Sequence, residues 1–308
     1  MVTKIKNNKI SGDSVSTLIN FFQNEKYKEA ESLALNLSKK SPSEPISWKI
    51  LGIIYLKSGR FNKALYANHK ALKIEPNTPD VHNNIAITYY NLGRYEEAIN
   101  SSKDALKIDN NFVQAYGNMA DSLKAIKKYE DATLCLKKAI KLAPHKLESY
   151  ASLADVFHKL GKFDDALITY ENVIKLNSNY FPAYLNMAKI LNELGKLYEA
   201  INVYNKVIKI NPNLAITYYN LANIQKKLNK IEDAVINYKK ALEIKPDFAD
   251  AHYNLANTFS NLGEKNQADI SYENALKINP KNPKFWSNKL LNLNYNENLS
   301  CEYIFNQH

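Results

Sequence analysis

Asparagine returns at intervals of 34 residues along much of the chain, and its carboxamide is the group best suited to chemistry here. The members of this row are Asn84, Asn118, Asn186, Asn220, Asn254 and Asn288. A carboxamide carries hydrogen-bond donors and an acceptor, so it can pair with the N–H and C=O groups of an extended peptide without reading side chains. The row therefore predicts sequence-tolerant peptide binding. Its interruption at Ile50 and Ser152 predicts stronger binding by the C-terminal half.

Two shorter rows accompany the asparagines. The residue three places further on, about one helical turn, is polar in four copies, at Asp121, Asp155, Asn223 and Asn257. The residue just before the asparagine is Tyr219 in one copy and Tyr253 in the next. We expect the polar row to extend the peptide-binding set and the tyrosines to form an apolar ledge beside it. Exposed tyrosine with no part in binding is the simpler alternative.

These rows give a first expectation for substitution. Replacing Asn220 and Asn254 by alanine should weaken peptide capture and leave the melting transition nearly unchanged, because the side chains are predicted to face a guest and not the core.

The chain shows no catalytic or metal-binding pattern. Cys135 and Cys301 stand alone, without metal-ligand spacing or a disulfide framework. The histidines lack the i,i+4 pairing of a helical metal site, and the dispersed glycines form no phosphate-binding loop. We expect no enzyme activity, catalytic residue, metal or cofactor in this chain, and we interpret Cys135 as a small buried hydrophobic residue.

The polar rows recur because a whole pattern recurs with the same period. One copy begins with Trp48, Leu51, Gly52 and Tyr55. Large apolar residues at the fourth, seventh and eleventh places fall on one stripe of a helix, and the small residue at the eighth place lets a second helix approach closely. The small residues are Gly52, Ala86, Ala120, Ala154, Ala188, Ala222 and Ala256. A period of this length is typical of one helix–turn–helix unit.

The turn inside each unit is marked by a residue that can adopt a left-handed backbone. Glycine fills this place in most copies, at Gly59, Gly93, Gly161, Gly195 and Gly263. Asn229 can adopt the same conformation, whereas Lys127 can do so only at a steric cost.

This pattern resembles the tetratricopeptide repeat family over nearly the whole chain. The resemblance implies an all-α, right-handed superhelical solenoid of helix pairs whose sixth and ninth places face an inner groove. We predict seven repeats over 45–282, a degenerate capping repeat at 11–44, a frayed N-terminus at 1–10, and capping or linker helices at 283–308 toward an absent downstream domain. Asparagine at these places is common in the family, so ordinary family composition is the alternative interpretation of the row.

One ligand pattern of the family is missing. The repeats that clamp a terminal carboxylate in chaperone cofactors carry lysine at the fifth place and asparagine at the ninth place of one repeat. Here Lys49 is the only candidate lysine, and Ile53 replaces its asparagine. We therefore do not expect this clamp.

The formal charge of +10 raises the question of nucleic acid. Of the 41 basic residues, only Arg60 and Arg94 are arginine, the residue that binds phosphates and guanine edges bidentately. The lysines are spread at the repeat period. We therefore expect protein or peptide partners and no nucleic acid.

The chain has no apolar run long enough to cross a bilayer, and its first residues lack a signal-peptide core. These features favour a cytoplasmic location and no membrane partner. The sequence leaves the oligomeric state open, including a homodimer through the convex face.

The C-terminal segment carries a second resemblance. Residues 287–295 (Ser-Asn-Lys-Leu-Leu-Asn-Leu-Asn-Tyr) and 299–308 (Leu-Ser-Cys-Glu-Tyr-Ile-Phe-Asn-Gln-His) resemble the joint between repeats and catalytic region in bacterial homologues of O-GlcNAc transferase and in SPINDLY-like glycosyltransferases. The resemblance implies that the repeats hold acceptor proteins for a transferase domain outside this chain, to which any nucleotide sugar would belong. The alternative is a free-standing adaptor that scaffolds a protein complex.

Overall fold

The structure, a computed structural model, describes residues 12–294, and over this range the chain forms seventeen α-helices and no strands. The all-α repeat fold expected from the sequence is confirmed. The helices form two compact units, whose boundary falls inside α10 between Thr169 and Tyr170. The predicted frayed N-terminus (1–10) and the predicted C-terminal helix after residue 294 lie outside the described residues.

The first unit contains α1 Gly12–Gln23, α2 Tyr27–Lys40, α3 Pro45–Lys57, α4 Phe61–Ile74, α5 Pro79–Asn91, α6 Tyr95–Ile108, α7 Val113–Ala125, α8 Tyr129–Leu142, α9 Leu147–Lys159 and the first half of α10 Phe163–Leu176. The second unit contains the rest of α10, then α11 Phe181–Glu193, α12 Leu197–Ile210, α13 Ala215–Lys227, α14 Ile231–Ile244, α15 Ala249–Asn261, α16 Lys265–Ile278 and α17 Pro283–Asn294. From α3 onward we call the odd-numbered helices A helices and the even-numbered ones B helices. An A helix begins every 34 residues.

The small residue at the eighth place is where the two helices of a pair come closest. A Cβ atom added to Gly52 would lie 2.2 Å from Oδ1 of Asn68, so α3 and α4 leave no room there for a side chain. The corresponding alanines in later copies, such as Ala120 and Ala222, are fully buried. The close approach predicted from the sequence is therefore confirmed.

Each A helix ends in a left-handed residue followed by a hydrogen bond back into the helix. The turn glycines have φ between 69° and 80°, and Lys127 and Asn229 adopt φ of 61° and 58° as predicted. Glu25 does the same at 58° in the capping repeat, which the sequence did not reveal. The next residue donates its N–H five residues back, as Arg60 does to the carbonyl of Tyr55 at 2.8 Å. These bonds satisfy carbonyls that the helix end leaves unpaired.

The ring at the fourth place also bonds to the preceding loop, always to the carbonyl six residues earlier. Trp48 Nε1 donates to the carbonyl of Pro42 at 3.1 Å, and Nε2 of His252 lies 2.9 Å from that of Pro246. Trp, Tyr and His share this column because each places a polar atom at the far end of a flat ring. The sequence predicts packing alone for this column, so the polar contact is an addition.

The last described helix pair replaces apolar columns by charges. Lys289, almost fully buried, occupies the column of Leu255, and its Nζ lies 3.3 Å from Oε1 of Glu273. Asp269 occupies the column of Val235 and keeps a buried Oδ1 without a hydrogen-bond partner. Burial raises the pKa of Asp269, and the charge of Lys289 opposes that rise. The α16–α17 contact is therefore partly ionic.

We predict that Lys127→Gly stabilises the protein by about 0.5–1 kcal/mol. The substitution relieves a left-handed backbone that costs an L-residue about 1–2 kcal/mol, and part of the gain is lost to the greater freedom of glycine in the unfolded chain. Thermal unfolding measures the change. Lys128→Gly is the matched control: Lys128 has φ −83°, so its replacement should lower the melting temperature. Equal effects at both positions would contradict the strain assigned to Lys127.

We predict opposite outcomes for single and double replacement of the buried charges. Lys289→Leu should lower the free energy of unfolding by roughly 1–3 kcal/mol, because Asp269 and Glu273 lose their positive neighbour. Asp269→Leu combined with Lys289→Leu restores two apolar columns and should recover most of the loss. Urea unfolding of the three chains measures the coupling, and simple additivity of the two substitutions would show that the charges do not interact.

Candidate peptide-binding face

The A helices of the second unit form a continuous surface that carries most of the predicted site. Each A helix packs on the B helix of the preceding pair, as α15 does on α14, and neighbouring A helices also touch, as α13 does α15 and α15 does α17. We call the solvent-facing side of α11, α13, α15 and α17 the A-helix face. Side chains at the sixth and ninth places lie where adjacent A helices meet.

The carboxamide of Asn254 bridges two repeats. Its Nδ2 donates to the hydroxyl of Tyr219 at 3.1 Å and to Oδ1 of Asn223 at 3.0 Å, both on the preceding A helix. The same Oδ1 of Asn223 accepts the hydroxyl proton of Tyr238 at 2.6 Å. Both amide hydrogens of Asn254 are therefore used inside the protein.

The next repeat contains the same network, shifted by one period. Asn288 donates through Nδ2 to the hydroxyl of Tyr253 at 2.7 Å and to Oδ1 of Asn257 at 2.8 Å. Tyr272 donates to Oδ1 of Asn257 at 2.6 Å. Since two copies agree in every partner, the network is a property of the repeat.

These bonds change what the row of carboxamides can offer a guest. The sequence predicts a donor and an acceptor at each step, but the donors of Asn254 and Asn288 point into the protein. Their Oδ1 atoms accept no hydrogen bond within residues 12–294 and are not sealed from solvent. Since the oxygen of a planar carboxamide lies opposite its nitrogen, the face presents acceptors.

The two tyrosines of the predicted ledge are held in place by these contacts. Tyr253 is only 4% exposed, and its ring stacks on Phe285 with centroids 4.7 Å apart. The sequence predicts an exposed ring here; the structure buries it because α17 packs against it. Tyr219 is half-buried, 4.8 Å from the ring of Phe248 between centroids. The prediction that both tyrosines contact a guest stays a prediction, and the A-helix face has a polar surface over an aromatic floor.

A column of buried tyrosines on the B helices fixes the network from below. Burial raises the pKa of Tyr238 and Tyr272 above the usual phenol value, and raises that of Tyr204 to about 12, where a hydrogen bond to Asn220 acts in the opposite direction. The phenols therefore stay neutral and remain donors at physiological pH. The sequence analysis missed their role, although Tyr170, Tyr204, Tyr238 and Tyr272 follow the same period of 34.

The first unit lacks this phenol column and pairs its polar side chains differently. Asn68 and Ser102 occupy the column there, and their buried polar atoms have no hydrogen-bond partner. Asn118 donates to Oδ1 of Asn83 at 2.7 Å. Lys124 bridges Asp121 at 2.9 Å and the Ser152 hydroxyl at 2.7 Å. This side-chain set is therefore partly occupied by internal contacts.

The remaining predicted residues lie on the A helices and stay predictions. Asn84, Asn186 and Asn220 are half-buried, and Asp155 is exposed.

No alternative site of another chemical class emerges from the part of the chain that the structure describes. Cys135 is buried as predicted, and burial raises the pKa of its thiol to about 11, which disfavours the reactive thiolate. Among residues 12–294, no group of histidine, cysteine and carboxylate side chains has the arrangement of a metal site. Within the same range, every helix is too short or too polar to span a bilayer.

Family models match most of the repeats. The model described as "TPR repeat" matches residues 52–93, 154–195, 188–229 and 226–263. Two models described as "Tetratricopeptide repeat" match residues 249–282 and residues 79–112 and 113–146. No curated protein matches the chain significantly.

Solved structures show the same fold. The C-terminal part of a TPR repeat-containing protein from Cytophaga hutchinsonii is 19% identical, with a TM-score of 0.65 over 77% of this chain and 97% of that one. MamA is 26% identical, with a TM-score of 0.50 over 53% of this chain and 95% of MamA. YrrB, described as a TPR protein with an unusual peptide-binding site, is 24% identical, with a TM-score of 0.51 over 60% of this chain and 95% of YrrB.

Helix pairs that begin every 34 residues, small residues at their closest approach and left-handed turns agree with these matches. The chain belongs to the tetratricopeptide repeat family.

Proposed function

We propose that this chain is a protein-interaction scaffold that binds extended peptide segments along the A-helix face of its second unit. The guest's backbone N–H groups donate to the outward Oδ1 atoms of Asn254 and Asn288. Side chains of the guest contribute less to these contacts, so the binding tolerates different sequences.

The observation that carries this proposal is the orientation of the two carboxamides. Two internal hydrogen bonds hold the nitrogen of each amide, so each oxygen is already fixed before a guest arrives. A fixed acceptor loses little conformational freedom on binding, and a larger part of each hydrogen bond contributes to affinity. Peptide binding is also what the description of YrrB reports for a protein of the same fold.

A finer version links the repeats to an O-GlcNAc-transferase-like enzyme, whose protein acceptors the A-helix face would hold. Its support is the resemblance of residues 287–295 and 299–308 to the joint region of such transferases. The matched family models end at residue 282 and do not include this segment. The free-standing adaptor is the competing version. A coding sequence that continues past His308 into a nucleotide-sugar-binding region would support the transferase link, and a stop codon there would contradict it.

We predict that Asn254→Ala combined with Asn288→Ala weakens binding of extended peptides about tenfold, because each lost acceptor contributes roughly 0.5–1.5 kcal/mol. A library of disordered peptides displayed on beads supplies the ligands, and fluorescence anisotropy gives the dissociation constants. N-methylation of a captured peptide at single backbone positions should reproduce the loss at the contacting residues, since it removes the donated hydrogen. Unchanged affinity in every N-methylated peptide would contradict backbone recognition.

The same double variant should also lower the melting temperature, because Tyr219 and Tyr253 lose their hydrogen-bond donors. This corrects the sequence-based expectation of an unchanged transition. Tyr238→Phe is the matched control: it removes one hydrogen bond from the network beneath the face, about 1 kcal/mol of stability, and leaves both outward oxygens in place. It should melt lower and bind peptide as the unaltered chain does. Equal loss of binding in both variants would show that destabilisation alone weakens capture.

A further inference from the structure

Lysines on the A helices of the first unit have partners. Lys49 forms an ion pair with Glu75, and Lys124 reaches both Asp121 and Ser152. These ammonium groups are neutralised or hydrogen-bonded within the unit and have little left to offer a ligand.

The A helices of the second unit differ in this respect. Lys189 on α11 and Lys226 on α13 have no carboxylate within ion-pair distance among residues 12–294, and neither ammonium group forms a hydrogen bond there. Lys227 donates to the neutral Oδ1 of Asn192 at 2.9 Å. We call Lys189, Lys226 and Lys227 the basic patch.

Lys226 is the most unusual of the three. It stands in the same column as Lys124, at the twelfth place, yet it is half-buried without an acidic partner. Burial lowers its pKa, and no neighbouring charge opposes that shift. An ammonium removed from water without a counter-charge costs free energy, which an arriving carboxylate would offset.

The basic patch adjoins the row of outward acceptors. Asn254 reaches Asn223 on the preceding A helix, a separation of 31 residues in sequence. The A helices run in the same direction, so the same offset sets Lys226 beside Asn257 and Lys189 beside Asn220. A guest whose backbone donates to the carboxamide row would therefore carry its side chains past these lysines.

We propose that the basic patch binds carboxylate side chains of an Asp- and Glu-rich extended peptide, which makes acidic disordered segments the preferred guests of the A-helix face. This rests on the proposed function and names the chemistry of the guest. The lysines stand at the ninth, twelfth and thirteenth places, so the contact differs from a clamp for a terminal carboxylate built on the fifth place.

The neighbouring acceptors favour a peptide over a nucleic acid. A phosphate backbone presents acceptor oxygens, which have nothing to donate to Oδ1 of Asn254 or Asn288. An acidic peptide supplies backbone N–H donors for the carboxamide row and carboxylates for the lysines within one chain.

Three fluorescein-labelled probes test the proposal on the full chain: a peptide of alternating Ser and Glu, a peptide of alternating Ser and Gln of equal length, and a single-stranded oligouridine RNA. Both peptides carry amidated C-termini, so any acid preference comes from side chains. At about 50 mM salt we expect the Ser-Glu peptide to bind at least about tenfold more tightly than the Ser-Gln peptide, and we expect this advantage to shrink at about 300 mM salt.

Lys189→Gln combined with Lys226→Gln should remove the advantage of the acidic peptide and leave the affinity for Ser-Gln unchanged. Lys124→Gln is the matched control, because it occupies the column of Lys226 but is already paired; it should keep the advantage. A double variant that still prefers the acidic peptide would overturn the proposal.

Other outcomes separate this proposal from the proposed function. Equal affinity of the unaltered chain for both peptides would overturn the acidic preference and leave backbone binding standing. Absence of binding to either peptide would overturn both. Tighter binding of the RNA than of the acidic peptide would assign the basic patch to a different class of partner and overturn the proposal.

Discussion

The hydrogen bond from a sixth-place carboxamide to the ninth-place carboxamide of the preceding repeat connects the fold of the second unit to its surface chemistry. Asn254 and Asn223 form it in one repeat, and Asn288 and Asn257 form it in the next. The bond fixes the register between adjacent A helices and, by using both amide hydrogens with the help of a tyrosine hydroxyl, leaves an oxygen at the surface. A stability device and a binding surface are thus two sides of one functional group.

The network has consequences because proteins are only marginally stable, so that a few hydrogen bonds form a large share of the total. In a repeat protein, stability is approximately a sum of repeat and nearest-neighbour terms. The inter-repeat carboxamide bond belongs to the nearest-neighbour term. A unit that has it in consecutive repeats resists separation of its A helices and keeps the spacing of the outward oxygens regular.

Much of the fold could be predicted from the sequence because the pattern repeats. The period, the small eighth-place residues and the left-handed turns, including the strained Lys127, each follow from local sterics. The choice of the asparagine row as the candidate site also came from its period. The direction in which Asn254 and Asn288 donate could not be predicted, because it depends on Tyr219, Tyr253 and the preceding asparagines together. The burial of Tyr253 depends on α17, whose Phe285 lies more than thirty residues away in sequence. The missing counter-charge at Lys226 is likewise visible only once neighbouring helices are in place.

The most direct test of this account is the hydrogen exchange of the side-chain amide of Asn254, followed by NMR in the unliganded protein. Two internal hydrogen bonds should slow the exchange of both Nδ2 hydrogens well below that of Asn261, which is exposed on the same helix. Exchange at Asn254 as fast as at Asn261 would mean that the carboxamide is not held from within, and the outward acceptor would lose its physical basis.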